Sequence, residues 1–193
     1  RRGTRLTACL NGGGMDTVGS DHVGTYAGNH YCDKPAGLLD RMACAVGGLI
    51  TIDFMEPSDP KVEKIDFDFG SQNHSLIIVQ TGRGHADLSA DYSAVPSEMK
   101  KVAEFFGKDY CSEITEKDVI DNLAEVRKYA GDRSVLRALH FFEENKRVEN
   151  MVKALKEDRF DVFLEHLTAP GNSSWTGLQN SEPNYNYKER RTT

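Results

Sequence analysis

Apolar residues follow two rhythms along this chain. Between residues 49 and 80 they come in short runs of strand length, and after residue 95 they recur at helical spacing. The early runs are Leu49-Ile50-Thr51-Ile52-Asp53-Phe54, then Val62 to Phe69, then Ser75-Leu76-Ile77-Ile78-Val79-Gln80. They predict a meander whose first turn is Glu56-Pro57-Ser58-Asp59-Pro60. In the second run Ile65, Phe67 and Phe69 alternate with Asp66 and Asp68, the mark of one buried and one wet face. The third run is continuously apolar, which predicts a strand covered on both faces.

Ahead of the strands, a short helix is predicted over 22–31 and a second from Pro35, since proline tolerates a first-turn position. Leu38, Leu39, Met42, Ala43 and Val46 form its apolar stripe, and Gly47-Gly48 ends it. Downstream, helices are predicted from Pro96 to Phe106 with Gly107 as a stop, and from a cap at Thr115-Glu116-Lys117-Asp118. A long amphipathic helix follows over about 132–156. Another runs over 159–168 and ends before Pro170-Gly171, with a further short one over 172–180. Strands first and helices after make an α+β chain, divided into 1–81 and 82–193 within the segment Thr81 to Pro96. Residues 1–21 read as loop and the tail from Glu182 as frayed.

Composition narrows the function. The chain has 193 residues, 38% hydrophobic and 28% charged, with a formal net charge of −6. That balance argues against nucleic acid, which calls for a basic face. No stretch nears the roughly 18 apolar residues of a membrane span, so a cytoplasmic protein without a membrane partner is expected. Four cysteines without a CxxC pair match neither a zinc site nor a disulfide framework. The first residue is Arg and the last four are Arg190-Arg191-Thr192-Thr193, and both ends read as truncation points.

Two segments could carry chemistry. Asp40 stands at the start of a helix with Gly37 three residues before it, a setting in which backbone approaches a ligand closely and a carboxylate serves as base. Acids are also common in first helical turns because they complement the helix dipole, and spacing alone favours that role. The second segment, Gly82-Arg83-Gly84-His85-Ala86-Asp87-Leu88-Ser89-Ala90-Asp91-Tyr92, follows a predicted strand end, where polar ligands are often met. A surface turn reads equally well there. Gly12-Gly13-Gly14 lacks the spacing of a phosphate loop. His140, His166 and the acids of the long helix match neither HExxH nor an EF-hand and read as solvated or packing residues, so no metal ligand is expected.

Gly37-Leu38-Leu39-Asp40-Arg41, with Met42 to Gly48 and the strand ending Ile52-Asp53, resembles the Gly-Ile/Leu-Met-Asp-Gln helix and the following strand of galactokinases. These belong to the superfamily that also holds homoserine, mevalonate and phosphomevalonate kinases. The series continues with Leu76 to Thr81, His85 to Leu88 and Asp91-Tyr92, then Arg137-Ala138-Leu139-His140 with Glu144, Arg147 and Asp158-Arg159-Phe160. The resemblance covers roughly 23–180 and implies part of a two-domain sugar-kinase fold: 1–81 from the N-terminal kinase domain, 82–193 the linking loop and helical part of the C-terminal one.

The resemblance implies transfer of the γ-phosphoryl group of ATP, with Mg2+, to O1 of a sugar, galactose to galactose 1-phosphate. Asp40 becomes the catalytic aspartate, Gly37 a backbone contact to the sugar, and Tyr92 a hydrogen-bond partner of a ring hydroxyl. Three departures stand out. Leu39 replaces the family's Met, Arg41 places a cation where the family has Gln, and the Pro-x-Arg-Arg that usually follows the tyrosine is missing. The family's N-terminal signature, its Gly-Leu-Ser-Ser-Ser phosphate loop and its Gly-Gly-Gly-x-Gly-Gly segment have no counterpart here. The cofactor-binding residues are therefore unassigned, and this piece alone is expected to be inactive. A kinase for another sugar and a non-catalytic galactose or ATP sensor on the same fold are the alternatives.

Overall fold

A computed structural model describes residues 38–56, 59–80 and 89–180. The predicted helix at 22–31, Gly37, the glycine run at 12–14, the loop 81–88 with His85, and the tail from 181 lie outside the described residues. The chain separates into two compact units, which divide between Phe67 and Asp68.

In the first unit, helix α1 (Leu38–Val46) precedes strand β1 (Leu49–Asp53), which pairs antiparallel with β2 (Lys61–Ile65). The helix ends at Gly47 and Gly48, with φ of 71° and 75°, and the Gly47 N–H donates to the Ala43 carbonyl at 2.9 Å. Only glycine takes two successive left-handed positions without a Cβ penalty. The pairing sets Leu49 opposite Ile65 and Asp53 opposite Lys61, an apolar pair at one end and an opposite-charge pair at the other. The predicted hairpin is present.

The second run is shorter than the alternation suggested. β2 stops at Ile65, and Phe69 opens a 3-10 turn (Phe69–Gln72) capped by Asp68, whose Oδ1 accepts from the Gly70 N–H at 2.9 Å. The third strand is not formed: residues 75–80 take no regular secondary structure, and Leu76, Ile77, Ile78 and Val79 are 77–90% exposed. A strand needs a neighbour for its ladder groups, and among the described residues the only sheet is the β1–β2 pair. An apolar run records that cover is needed, not what supplies it.

The second unit is helical: α2 (Ser89–Phe105), a 3-10 turn (Cys111–Glu113), α3 (Glu116–Asp121), α4 (Leu123–Ala130), α5 (Asp132–Lys156) and α6 (Phe160–Ser173), closed by a π-turn (Ser174–Leu178). α5 is the spine, with α2, α4, α6 and the π-turn packed along it. Val102, Cys111, Val119, Val126, Val135, Ala138 and Phe142 form the core, and Phe69, Phe160 and Phe163 make a smaller aromatic cluster with ring centroids 5.7–5.9 Å apart. α5 matches its predicted bounds. The Thr115 cap is present as a reciprocal pair: the Asp118 N–H donates to Thr115 Oγ1 at 3.2 Å, and the Thr115 N–H to Asp118 Oδ2 at 2.9 Å.

Both proline-based boundaries need correction. α2 starts at Ser89 and holds Pro96 inside it, and α6 runs through Pro170 to Ser173. An interior proline removes one backbone donor, a cost of about 3 kcal/mol. Burial of Val102 and Ala103, and of Phe160 and Phe163, returns more than that to each helix. The mixed helix and antiparallel sheet content is compatible with the α+β class expected from the pattern.

Candidate functional site

In the first unit, Asp40 lies in the first turn of α1 and is exposed. Met42, two positions on and therefore on the opposite side of the helix, is fully buried. The inward pull of Met42 thus turns the Asp40 carboxylate outward at the end of the helix where the backbone dipole favours negative charge. Such a group accepts protons or hydrogen bonds from a ligand without rearrangement of the core.

In the second unit, Tyr92 sits in the first turn of α2 and is 57% exposed. Its neighbour Asp91 is half-buried and lies seven residues, two turns, from Glu98 on the same face. That face meets Arg133 and Arg137 of α5. Arg133 grips Glu98 as a fork, Nε to Oε2 at 2.9 Å and Nη2 to Oε1 at 2.5 Å. Arg137, 1% exposed, brings Nη1 to 3.1 Å from Glu98 Oε2 and donates from Nε to the Leu178 carbonyl of the π-turn at 2.9 Å. The Nη1 approach lacks the alignment of a hydrogen bond, so that nitrogen is buried without a directed protein acceptor. Its attraction to Glu98 is a charge contact.

The electrostatics follow from this geometry. Burial pushes the Glu98 carboxyl up, but the Arg133 fork and the fields of Arg137, Arg133 and Lys101 together hold it below its ordinary range. Burial lowers the Arg137 pKa, assisted by the Arg133 charge and opposed by Glu98 and Asp91. One turn on, His140 Nδ1 lies 2.7 Å from Ser173 Oγ. Burial, then the nearby Arg147 charge, lower the His140 pKa, against the pull of Glu143 and the Ser173 contact. A Cβ on Gly177 would stand 3.2 Å from His140 Cβ, so glycine lets the π-turn close on this histidine.

Asp40 and Tyr92 therefore stand on separate units, each at the start of a helix, and Gly37 lies outside the described residues. Glu98 and Arg133 were absent from the sequence-based candidates. The available signal was the spacing of Asp91 and Glu98 against Arg133 and Arg137, a seven and a four that each keep charges on one helix face. His140 packs against Ser173 and the π-turn. Among the described residues no three His, Cys, Asp or Glu side chains are grouped to hold a metal ion, and no helix is long and apolar enough to cross a membrane.

No family model matches the chain. Curated relatives do. The galactokinase of Actinobacillus pleuropneumoniae serotype 5b is 24% identical over 152 residues, which are 79% of this chain and 38% of that protein. The galactokinase of Thermosipho africanus is 26% identical over 134 residues, 68% of this chain and 35% of the relative, and that of Streptomyces lividans 28% identical over 134 residues, 67% and 32%. These matches place the chain among relatives of the kinases, the phosphoryl-transferring class. Within that class, it is related to the galactokinases. It spans about a third of the length of the curated relatives it matches.

Proposed function

We propose that this chain is part of a galactokinase-like enzyme that transfers the γ-phosphoryl group of ATP to the anomeric hydroxyl of galactose. The observation that supports this most directly is the outward carboxylate of Asp40, exposed in the first turn of α1 within a series of segments similar to galactokinases. Asp40 takes the proton from O1 of the sugar as the oxygen becomes a nucleophile, and its charge keeps that oxygen oriented. Gly37 contributes a backbone contact and Tyr92 a hydrogen bond to a ring hydroxyl. Residues 1–81 then derive from the N-terminal kinase domain and 82–193 from the linking loop and helical part of the C-terminal one. The localisation is cytoplasmic.

ATP and Mg2+ enter by kinship with the relatives. The described residues do not form a holder for them: none groups three acidic, histidine or cysteine side chains, and the sequence has no phosphate loop of the galactokinase kind. The chemistry assigned to this chain is confined to the sugar side.

A coupled ADP assay on the complete gene product with galactose tests the reading. Asp40→Asn should lower kcat by about a thousandfold, as loss of a group that acts on the reacting atom does, while calorimetry still detects galactose binding. Unchanged turnover in D40N would remove Asp40 from the mechanism. The 193-residue chain by itself should show no turnover. A second reading, another aldose as substrate, is favoured by Arg41 in place of Gln and by the missing Pro-x-Arg-Arg after Tyr92. A panel of aldoses in the same assay separates the two, and binding without turnover on any of them would indicate a sensor.

A further inference from the structure

We propose that Arg137 is a positioning residue for the sugar site, holding the start of α2, and with it the Tyr92 phenol, against α5. The inference rests on the reading of Tyr92 as a sugar contact. Its basis is the way α2 is secured. Tyr92 stands six residues before Glu98, about 9 Å along the helix axis at 1.5 Å per residue. Pro96 lies between them and has no N–H, so the backbone bond that would return to the Tyr92 carbonyl cannot form. The first turn of α2 is thus tied to the rest of the helix by one bond fewer than a regular helix would supply.

Side chains of α2 meet the α5 arginines on both sides of Pro96, Asp91 before it and Glu98 after it. Glu98 is gripped by Arg133 and touched by Arg137, and Arg137 is itself held at its other end by the Leu178 carbonyl. Asp91, adjacent to Tyr92, adds a favourable charge interaction with both arginines. Arg137 therefore links three elements, α2, α5 and the π-turn, from a position that solvent does not reach. Its planar guanidinium donates to the Leu178 carbonyl from Nε while Nη1 faces the Glu98 carboxylate as a charge contact, two directions that a lysine ammonium on a flexible stem cannot hold with the same rigidity. A displaced first turn moves an exposed phenol without disturbing the core built on Val102, Val126 and Val135.

The test is steady-state kinetics on the complete gene product, with Tyr92→Phe, Arg137→Met and Arg137→Lys, varying galactose and ATP separately. Tyr92→Phe and Arg137→Met should each raise the galactose KM about tenfold, with the ATP KM unchanged, since small misplacements of a contact group are felt at the substrate it meets. Arg137→Lys should raise it less, and this variant carries the test if the methionine protein fails to fold. A purely structural role lowers the active fraction, hence kcat, and leaves both KM values alone. If Tyr92→Phe raises the galactose KM and neither Arg137 variant does, the positioning role is wrong. If Tyr92→Phe leaves it unchanged, the sugar-contact reading of Tyr92 falls, and this inference with it.

Discussion

Two substitutions at the α2–α5 contact, Glu98→Ala and Arg137→Met, remove opposite ends of one ion pair and should differ in cost. Without Glu98, Arg133 is half-exposed and rehydrates, but Arg137, 1% exposed, keeps its charge with the Leu178 carbonyl and the field of Asp91 in place of its nearest carboxylate. Loss of one member of a buried pair costs about 3–5 kcal/mol for this reason. Without Arg137, Glu98 still has both bonds of the Arg133 fork. Methionine also fills much of the vacated volume and removes the Nη1 donor, whose unmet burial costs about 1–3 kcal/mol in the parent protein. The remaining losses are the bond to Leu178, about 1 kcal/mol, and the charge contact, so the net should be near 1–2 kcal/mol. Urea denaturation followed by circular dichroism reads the difference. At a slope of about 1–3 kcal/mol per molar, a gap of roughly 2 kcal/mol separates the midpoints by about 1 M, Glu98→Ala the lower. Equal midpoints, or a lower one for Arg137→Met, would refute the view that Arg133 alone suffices to compensate Glu98.

Other consequences follow from the same structure. His140 has a folded-state pKa below its ordinary 6.5, so the unfolded chain binds the proton more readily; the stability associated with neutral His140 is complete above about pH 7 and declines as pH falls below 6.5. Stability measured from pH 7.5 to 5.5 should therefore fall less steeply in His140→Gln than in the parent, and parallel curves would count against a buried neutral imidazole. Glu98 acts in a different window: its contribution is present above 4.5 and is lost only as pH falls through its lowered value. Thr115→Ala removes the reciprocal cap of α3 and should cost about 1 kcal/mol in the same urea assay, with no measurable loss arguing that α3 is held by packing alone. Burial pushes the Cys111 thiol up to about 11, and its Sγ donates to the Met99 carbonyl at 3.2 Å, whereas Cys44 is exposed. Iodoacetamide labelling at pH 8, read site by site by peptide mass spectrometry, should modify Cys44 well before Cys111, and equal rates would contradict this burial.

The amino-acid pattern by itself determined the elements whose cause is local. The cap at Thr115, the glycine stop at Gly47-Gly48, the first strand, the first half of the second and the whole of α5 all follow from residues close in sequence, through side-chain to backbone bonds, positive φ and repeated spacing. Asp40 was visible in the same way, as an acid in a first turn. Tertiary structure decided the rest. Pro96 and Pro170 read as boundaries because a missing N–H is a local fact, and they became interior positions because packing against α5 and the aromatic cluster outweighs one lost bond. Leu76 to Val79 read as a covered strand, yet the pairing that a strand needs is never encoded in the strand itself, and here those side chains stand exposed. Glu98, Arg133 and Arg137 lie 35 and 39 residues apart in sequence and meet only because α2 lies along α5. Charge that is unremarkable on a helical wheel acquires its meaning once a second helix excludes water from it.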